Sequence, residues 1–164
     1  MGRLRNSVIK RYRKAIDGAR NALGFEIEVY YKTGIKIECG SCTFDPVNKE
    51  STNLDCEECA GNYYFDEIKT RTLIATTSRV GVAPAWAIAH LPGGSIDVND
   101  VYISCKLSDA LIDPADESGN TIFHQATKII VNGDTVIPKT SPLKYGLAGD
   151  LYNCALLGTI DPTI

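Results

Sequence analysis

Cys39-Gly40-Ser41-Cys42, thirteen residues, then Cys56-Glu57-Glu58-Cys59 is the stretch around which the chain is organised. Each C-x-x-C turns two thiolates toward one point, and a spacer of this length lets the two knuckles face each other. That is the donor set of a tetrahedral four-cysteine zinc site. The spacer, 43–55, contains Asp45, Pro46, Asn48, Ser51 and Asn53 and no long apolar run, so it has little core of its own. Other readings of four cysteines are disulfides, a redox pair or an iron–sulfur centre. The opening Met-Gly-Arg-Leu-Arg-Asn lacks the apolar segment of a secretion signal, so a reducing compartment is expected, where disulfides are rare. A redox C-x-x-C is ordinarily single and set beside a βαβ pattern, which this chain lacks. The expected cofactor is therefore structural zinc on Cys39, Cys42, Cys56 and Cys59. Four thiolates close the shell and leave no position for a catalytic water.

The flanks of the stretch read as β-structure. Residues 25–31, Phe-Glu-Ile-Glu-Val-Tyr-Tyr, alternate apolar and acidic side chains as a half-buried strand does. Thr33-Gly34 reads as a turn, and 35–38 alternate again into the first knuckle. Gly61 closes the stretch, and Tyr63-Tyr64-Phe65 re-enters the framework. Beyond it, 67–82 predict one long or broken strand, 83–91 a helical turn or a loop, Pro92-Gly93-Gly94 a break, and 96–107 a further strand. Residues 109–120 form an acidic, turn-rich loop. Asn132-Gly133 between two β-branched runs predicts a type I′ hairpin over 127–138, and 151–157 a closing strand. Ahead of all this, Leu4, Val8, Tyr12, Ile16, Ala19 and Leu23 recur at helical spacing and Gly24 supplies a stop, so 4–23 predict an amphipathic helix buried along that stripe. The expected fold is mainly β: an N-terminal amphipathic helix (1–24), a small β-barrel or sandwich core (25–38 and 63–164) and an inserted zinc ribbon (39–62).

The net charge of −3 conceals an asymmetry. Residues 1–24 carry seven basic side chains (Arg3, Arg5, Lys10, Arg11, Arg13, Lys14, Arg20) against Asp17, a net of +6, and the remainder carries −9. The basic helix reads as a solvated face, a dock onto an acidic protein surface or a nucleic-acid contact. A membrane-surface helix would want Trp or Phe anchors on its apolar face, and this one has none. No run approaches the roughly 18 apolar residues that cross a bilayer, so no membrane is expected. The ribbon sets Asp45, Glu50, Asp55, Glu57 and Glu58 against Lys49 and so repels phosphates. Two histidines (His90, His124), no nucleotide, zinc-protease or hydrolase motif and no paired carboxylates give no basis for an enzyme. Cys105 and Cys154 lie among apolar neighbours and read as inert core thiols.

An arginine-rich helix, a strand ending in Tyr30-Tyr31-Lys32-Thr33-Gly34, and Cys39-x-x-Cys42-x-Phe44-Asp45-Pro46-Val47 ahead of a second C-x-x-C-x-Gly together resemble the neck proteins of tailed bacteriophages. These are head–tail connector, stopper or head-completion proteins with a zinc-knuckle insert. Asn62 departs from the pattern, standing where a further Gly is expected. The resemblance implies a β-barrel whose copies form a ring, twelvefold in the family, between portal and tail. The ring would lie in the virion neck, be made in the host cytoplasm, and continue the channel for packaged DNA without reading its sequence. It implies partners in the portal or adaptor protein, the tail proteins and other copies of itself. The seven basic residues would serve the portal or subunit interface. The loop holding Asp109, Asp113, Asp116, Glu117 and Gly119 would project into the lumen. The alternative is a cytosolic zinc-ribbon adaptor that binds nucleic acid or a transcription complex through the basic helix.

Overall fold

The computed structural model describes residues 2–79, 97–113, 119–147 and 149–162, with side chains from Asn6 onward. The expectations for 83–94, including His90, and for Asp116 and Glu117 lie outside these residues. The order is α1 (Gly2–Leu23), β1 (Phe25–Glu38), β2 (Phe44–Asp45), β3 (Glu50–Ser51), β4 (Tyr64–Arg79), β5 (Asp100–Lys106), α2 (Leu107–Ala110), a 3-10 turn (Ile122–His124), β6 (Ala126–Val131), β7 (Asp134–Pro138), β8 (Leu143–Leu147) and β9 (Asp150–Ile160). The chain divides into two compact units, Met1–Tyr31 with Thr70–Ile164, and Lys32–Lys69. Strands β1 and β4 each contribute residues to both.

The protein is mainly β with a leading helix, as expected. One sheet runs in the order β5-β4-β1-β6-β7-β9-β8, and β5 also pairs with β9, so the ladder from β5 to β9 returns to its start. Strand β9 makes this closure possible by its length. It pairs with β5 along Asn153–Thr159, with β8 along its first half and with β7 at its end. A strand covered on both faces must be apolar throughout, which is what Cys154-Ala155-Leu156-Leu157 supplies. The alternating strands instead bury one face. Ile27 and Val29 of β1, Leu73 and Ala75 of β4, Ile129 of β6 and Val136 of β7 meet Ile103, Ile122, Phe123 and Leu156 in one core. Burying each large aliphatic chain contributes about 1.5–3 kcal/mol. Cys105 and Cys154 face each other across β5 and β9, both fully buried, and burial pushes their thiols up, Cys154 to about 11.

The hairpin forms as predicted, with Asn132 at φ 51° and Gly133 at φ 90°, the two positive angles a type I′ turn needs. Two expectations change and one strand is added. Thr33-Gly34 is no turn: β1 runs straight through it, because Gly34 at φ 81° absorbs the irregularity within the strand. The strand expected from 96 begins at Asp100, after a turn at Val98 and Asn99. His124 lies in the 3-10 turn, its Nδ1 beside Thr121. Strand β8 is an addition, since Leu-Lys-Tyr-Gly-Leu has too weak an alternation to announce itself.

The turn into β5 is locked by Asp100. Its carboxylate is fully buried and accepts hydrogen bonds from Lys139 Nζ (2.7 Å), Thr159 Oγ1 (2.5 Å) and the Asp97 amide (2.8 Å). Burial raises its pKa, but the Lys139 and Thr159 hydrogen bonds outweigh burial and hold it below the usual carboxylate range. A depressed folded pKa contributes stability that is present above the unfolded value and lost as pH falls through the folded one. Asp100→Asn should therefore cost about 1–3 kcal/mol at neutral pH and flatten the acid limb of the stability curve. Urea midpoints measured from neutral pH into the acid range test this; an unchanged acid limb would discount the residue.

Helix α1 docks differently from its apolar stripe. Val8 and Leu23 are 51% and 74% exposed, and Ala15 and Ala19 are exposed with them. The face turned inward instead has Ile9, Tyr12, Arg13, Ile16, Asp17 and Arg20. Its contacts are polar and reach β9. Arg13 forms a two-pronged pair with Asp150 (2.9 and 2.6 Å) and lies over the Tyr152 ring. The Tyr152 hydroxyl donates to Asp17 (2.6 Å), and Asn153 Nδ2 donates to Tyr12 Oη (3.3 Å). Arg20 is buried at 7% exposure, donating to Asn153 Oδ1 (2.6 Å) and Asp17 (3.1 Å). Hydrophobic spacing cannot foresee this face, because its specificity lies in hydrogen-bond partners 133 or more residues away.

Candidate metal centre

Local turn chemistry builds the unit Lys32–Lys69. Strands β2 and β3 pair over two residues each, joined by a turn that Asp45 holds. Asp45 Oδ1 accepts the Val47 amide (2.8 Å), its Oδ2 accepts Asn48 Nδ2 (2.8 Å), and its carbonyl accepts the Lys49 amide (2.8 Å). Backbone amides, those of Val47 and Asn48, keep the Asp45 carboxyl below its ordinary pKa. The first knuckle is tied back where the Cys39 amide donates to Tyr63 O (2.8 Å). The second closes on itself: the Ala60 amide donates to Cys56 O (2.8 Å) and the Asn62 amide to Cys59 O (3.0 Å). Gly61 at φ 82° ends that turn, and a Cβ there would meet Leu54 O at 2.9 Å, so glycine is required. Asn62 takes its place in this turn without a further glycine.

The interior of this unit is the cysteine cluster. Cys39, Cys56 and Cys59 are buried, with Cys42, Tyr63 and Phe65 against them. Phe44, Tyr63 and Tyr64 pack their rings at centroid distances of 4.9–5.9 Å. The four Sγ atoms lie within 4.8 Å of one another, and Cys39–Cys56 and Cys42–Cys59 are 3.7 Å apart. All four are free thiols. A tetrahedral ion about 2.3 Å from each sulfur would set the sulfurs about 3.8 Å apart. The arrangement therefore fits a metal ion. Backbone amides already favour thiolate at one corner: those of Cys59 and Glu58, with the Cys42 side chain, lower Cys56 to about 7. Cys39 is raised, first by burial, and so is Cys42, where the Cys56 contact and burial outweigh the Ser51 hydroxyl. Glu58 joins the site without any signal from the cysteine spacing. Its Oε2 is 3.4 Å from Cys39 Sγ and accepts Ser41 Oγ (2.8 Å), which bridges the two knuckles outside the sulfurs.

Of the other predicted site residues, Lys10, Arg11 and Lys14 are exposed, whereas Arg13 and Arg20 are engaged with β9 and Asp17. The side chains of Arg3 and Arg5 lie outside the described set. Asp109 lies in α2, exposed, with Ser108 Oγ donating to it (2.9 Å). The loop holding Asp113 and Gly119 is closed at its stem by the Leu111–Thr121 bridge and the Ile112 amide donating to Asn120 O (3.0 Å). Arg71 braces that stem from β4, donating to Leu111 O (2.6 Å).

Fold and site together define a mainly β protein with a cluster of four cysteine thiols that could hold a metal ion. Compared with protein-family models, curated proteins and solved structures, the chain matches none. No helix among the described residues is long and apolar enough to cross a membrane.

Proposed function

We propose that this chain is a structural assembly protein of a tailed-phage neck, with zinc as the metal. On this reading it forms a ring between portal and tail that continues the DNA channel and helps retain the genome, and it performs no catalysis. The observation that carries the reading is the unit Lys32–Lys69, an acidic module whose interior is little more than four thiols and adjoining rings. Soft thiolates at tetrahedral spacing select zinc, and a filled four-sulfur shell supports structure rather than turnover. Such a module presents surface to a protein partner. The loop at 109–120, which begins in α2 at Asp109 and is closed at its stem, is the candidate for the lumen, where acidic side chains would let DNA slide without sticking.

Metal analysis of protein purified without chelator should return one zinc per chain. Native mass spectrometry and negative-stain microscopy of the full chain should then reveal closed rings, alone or on a candidate portal protein. A monomer under all these conditions sinks the neck reading. Binding of free duplex DNA with a steep salt slope would favour the nucleic-acid adaptor instead.

A further inference from the structure

We infer that the exposed face of α1 docks on the acidic metal unit of a second copy of this chain. The inference rests on the assembly reading above and names the surfaces that reading requires. Val8, Ala15, Ala19 and Leu23 fall within one narrow arc of the helix, all exposed, while the neighbouring arc is engaged with β9. Arg11 borders that stripe on one side, with Lys14 and then Lys10 further round the same side, all three exposed. The unit Lys32–Lys69 offers the opposite character. It has eight acidic and four basic side chains, a net of −4. Three of those four lysines are paired internally: Lys32 and Lys36 with Asp66, and Lys69 with Glu67. The excess negative charge therefore resides on Glu38, Glu50, Asp55, Glu57 and Glu58, all exposed, and a divalent ion on four thiolates would add to it. Among these acids stand Ile35, Val47 and Leu54, at 56%, 85% and 66% exposure.

Each surface thus combines uncovered apolar side chains with charge, and the charges are opposite. Two unlike complementary patches on one chain make a head-to-tail contact, which closes into a ring or runs on as a filament. Phosphates do not fit the acidic patch, and a membrane does not fit its sign. A second copy satisfies both patches at once.

The test is a charge exchange read by sedimentation velocity at about 0.05 M and about 0.5 M salt. Wild-type protein should associate, and less so at the higher salt. Lys10→Glu/Arg11→Glu/Lys14→Glu and Glu50→Lys/Asp55→Lys/Glu57→Lys should each, alone, weaken association at least about tenfold. An equimolar mixture of the two should restore it, since each then offers what the other lacks. Circular dichroism and zinc content verify folding; should a triple variant fail these, Val8→Ser/Leu23→Ser must weaken association without altering charge. A wild-type chain that stays monomeric at both salts overturns the inference, as does a folded mixture that fails to associate. Compaction independent of concentration also overturns it, placing the contact within one chain. Rings that survive both reversals refute these surfaces but leave the neck reading standing.

Discussion

Cys56→Ser, or chelation of the metal, is expected to unfold Lys32–Lys69 while the strands of the other unit stay folded. The hydrophobic interior of the small unit is Cys39, Cys56 and Cys59 with Cys42, Tyr63 and Phe65 packed on them. Strands β2 and β3 hold only two residues each. A unit of this size with so small an interior would depend on a bound ion, which contributes an apparent 10–16 kcal/mol, roughly, in small zinc domains. The other unit has its own cluster, from Ile27 to Leu156, and needs no ion. Amide exchange read residue by residue gives the outcome. Protection should vanish between 39 and 62 and persist at Ile103, Ile129 and Leu156. Acid should act in the same direction as chelator, because protons compete with the ion for thiolate. Loss of both units in one transition would show that the metal supports the whole fold; unchanged protection at 39–62 would show that it supports neither.

Asn153→Leu is expected to destabilise the larger unit by about 1–3 kcal/mol. Asn153 is 1% exposed and Arg20 is 7% exposed, and the 2.6 Å hydrogen bond between them is the guanidinium's buried anchor. The remaining partner, Asp17, has a 40% exposed side chain, and Arg20 Nε has no partner at all. Removing the acceptor leaves Nη2 of the buried guanidinium without its Asn153 partner while the Asp17 pair remains, and an unmet buried donor costs more than the bond is worth. Arg20→Met/Asn153→Leu removes both groups and should recover most of the loss, since apolar replacement of a buried polar pair is often neutral. Urea denaturation of the two single variants and the double forms a cycle. A double variant as unstable as the sum of the singles would mean that Arg20 and Asn153 act separately.

Neighbours along the chain decide what is legible in advance. The cysteine spacing announces the four ligands because each knuckle is a local turn. Asn132-Gly133 announces its hairpin because two adjacent positive φ angles admit few other residues. The alternation in β1 announces a half-buried strand, and the stretches 67–82 and 151–157 announce further strands without saying which faces they cover. Arg20 reads as part of a basic surface, yet it is buried. Glu58 counts in the sequence only as charge, yet it bridges the two knuckles.

The four-cysteine cluster, the leading helix and the mainly β class are all legible before the chain folds, since each follows from contacts over a few residues. Tertiary structure alone decided that β5 pairs with β9 and closes the ladder, and that Asp100 meets Lys139 and Thr159. It alone turned Arg13, Asp17 and Arg20 inward beside Tyr12 and Ile16 and left Val8 and Leu23 outside. The physical reason is the same in each case. A hydrogen bond or ion pair between distant residues depends on which strands the fold brings side by side, and no local spacing encodes that meeting.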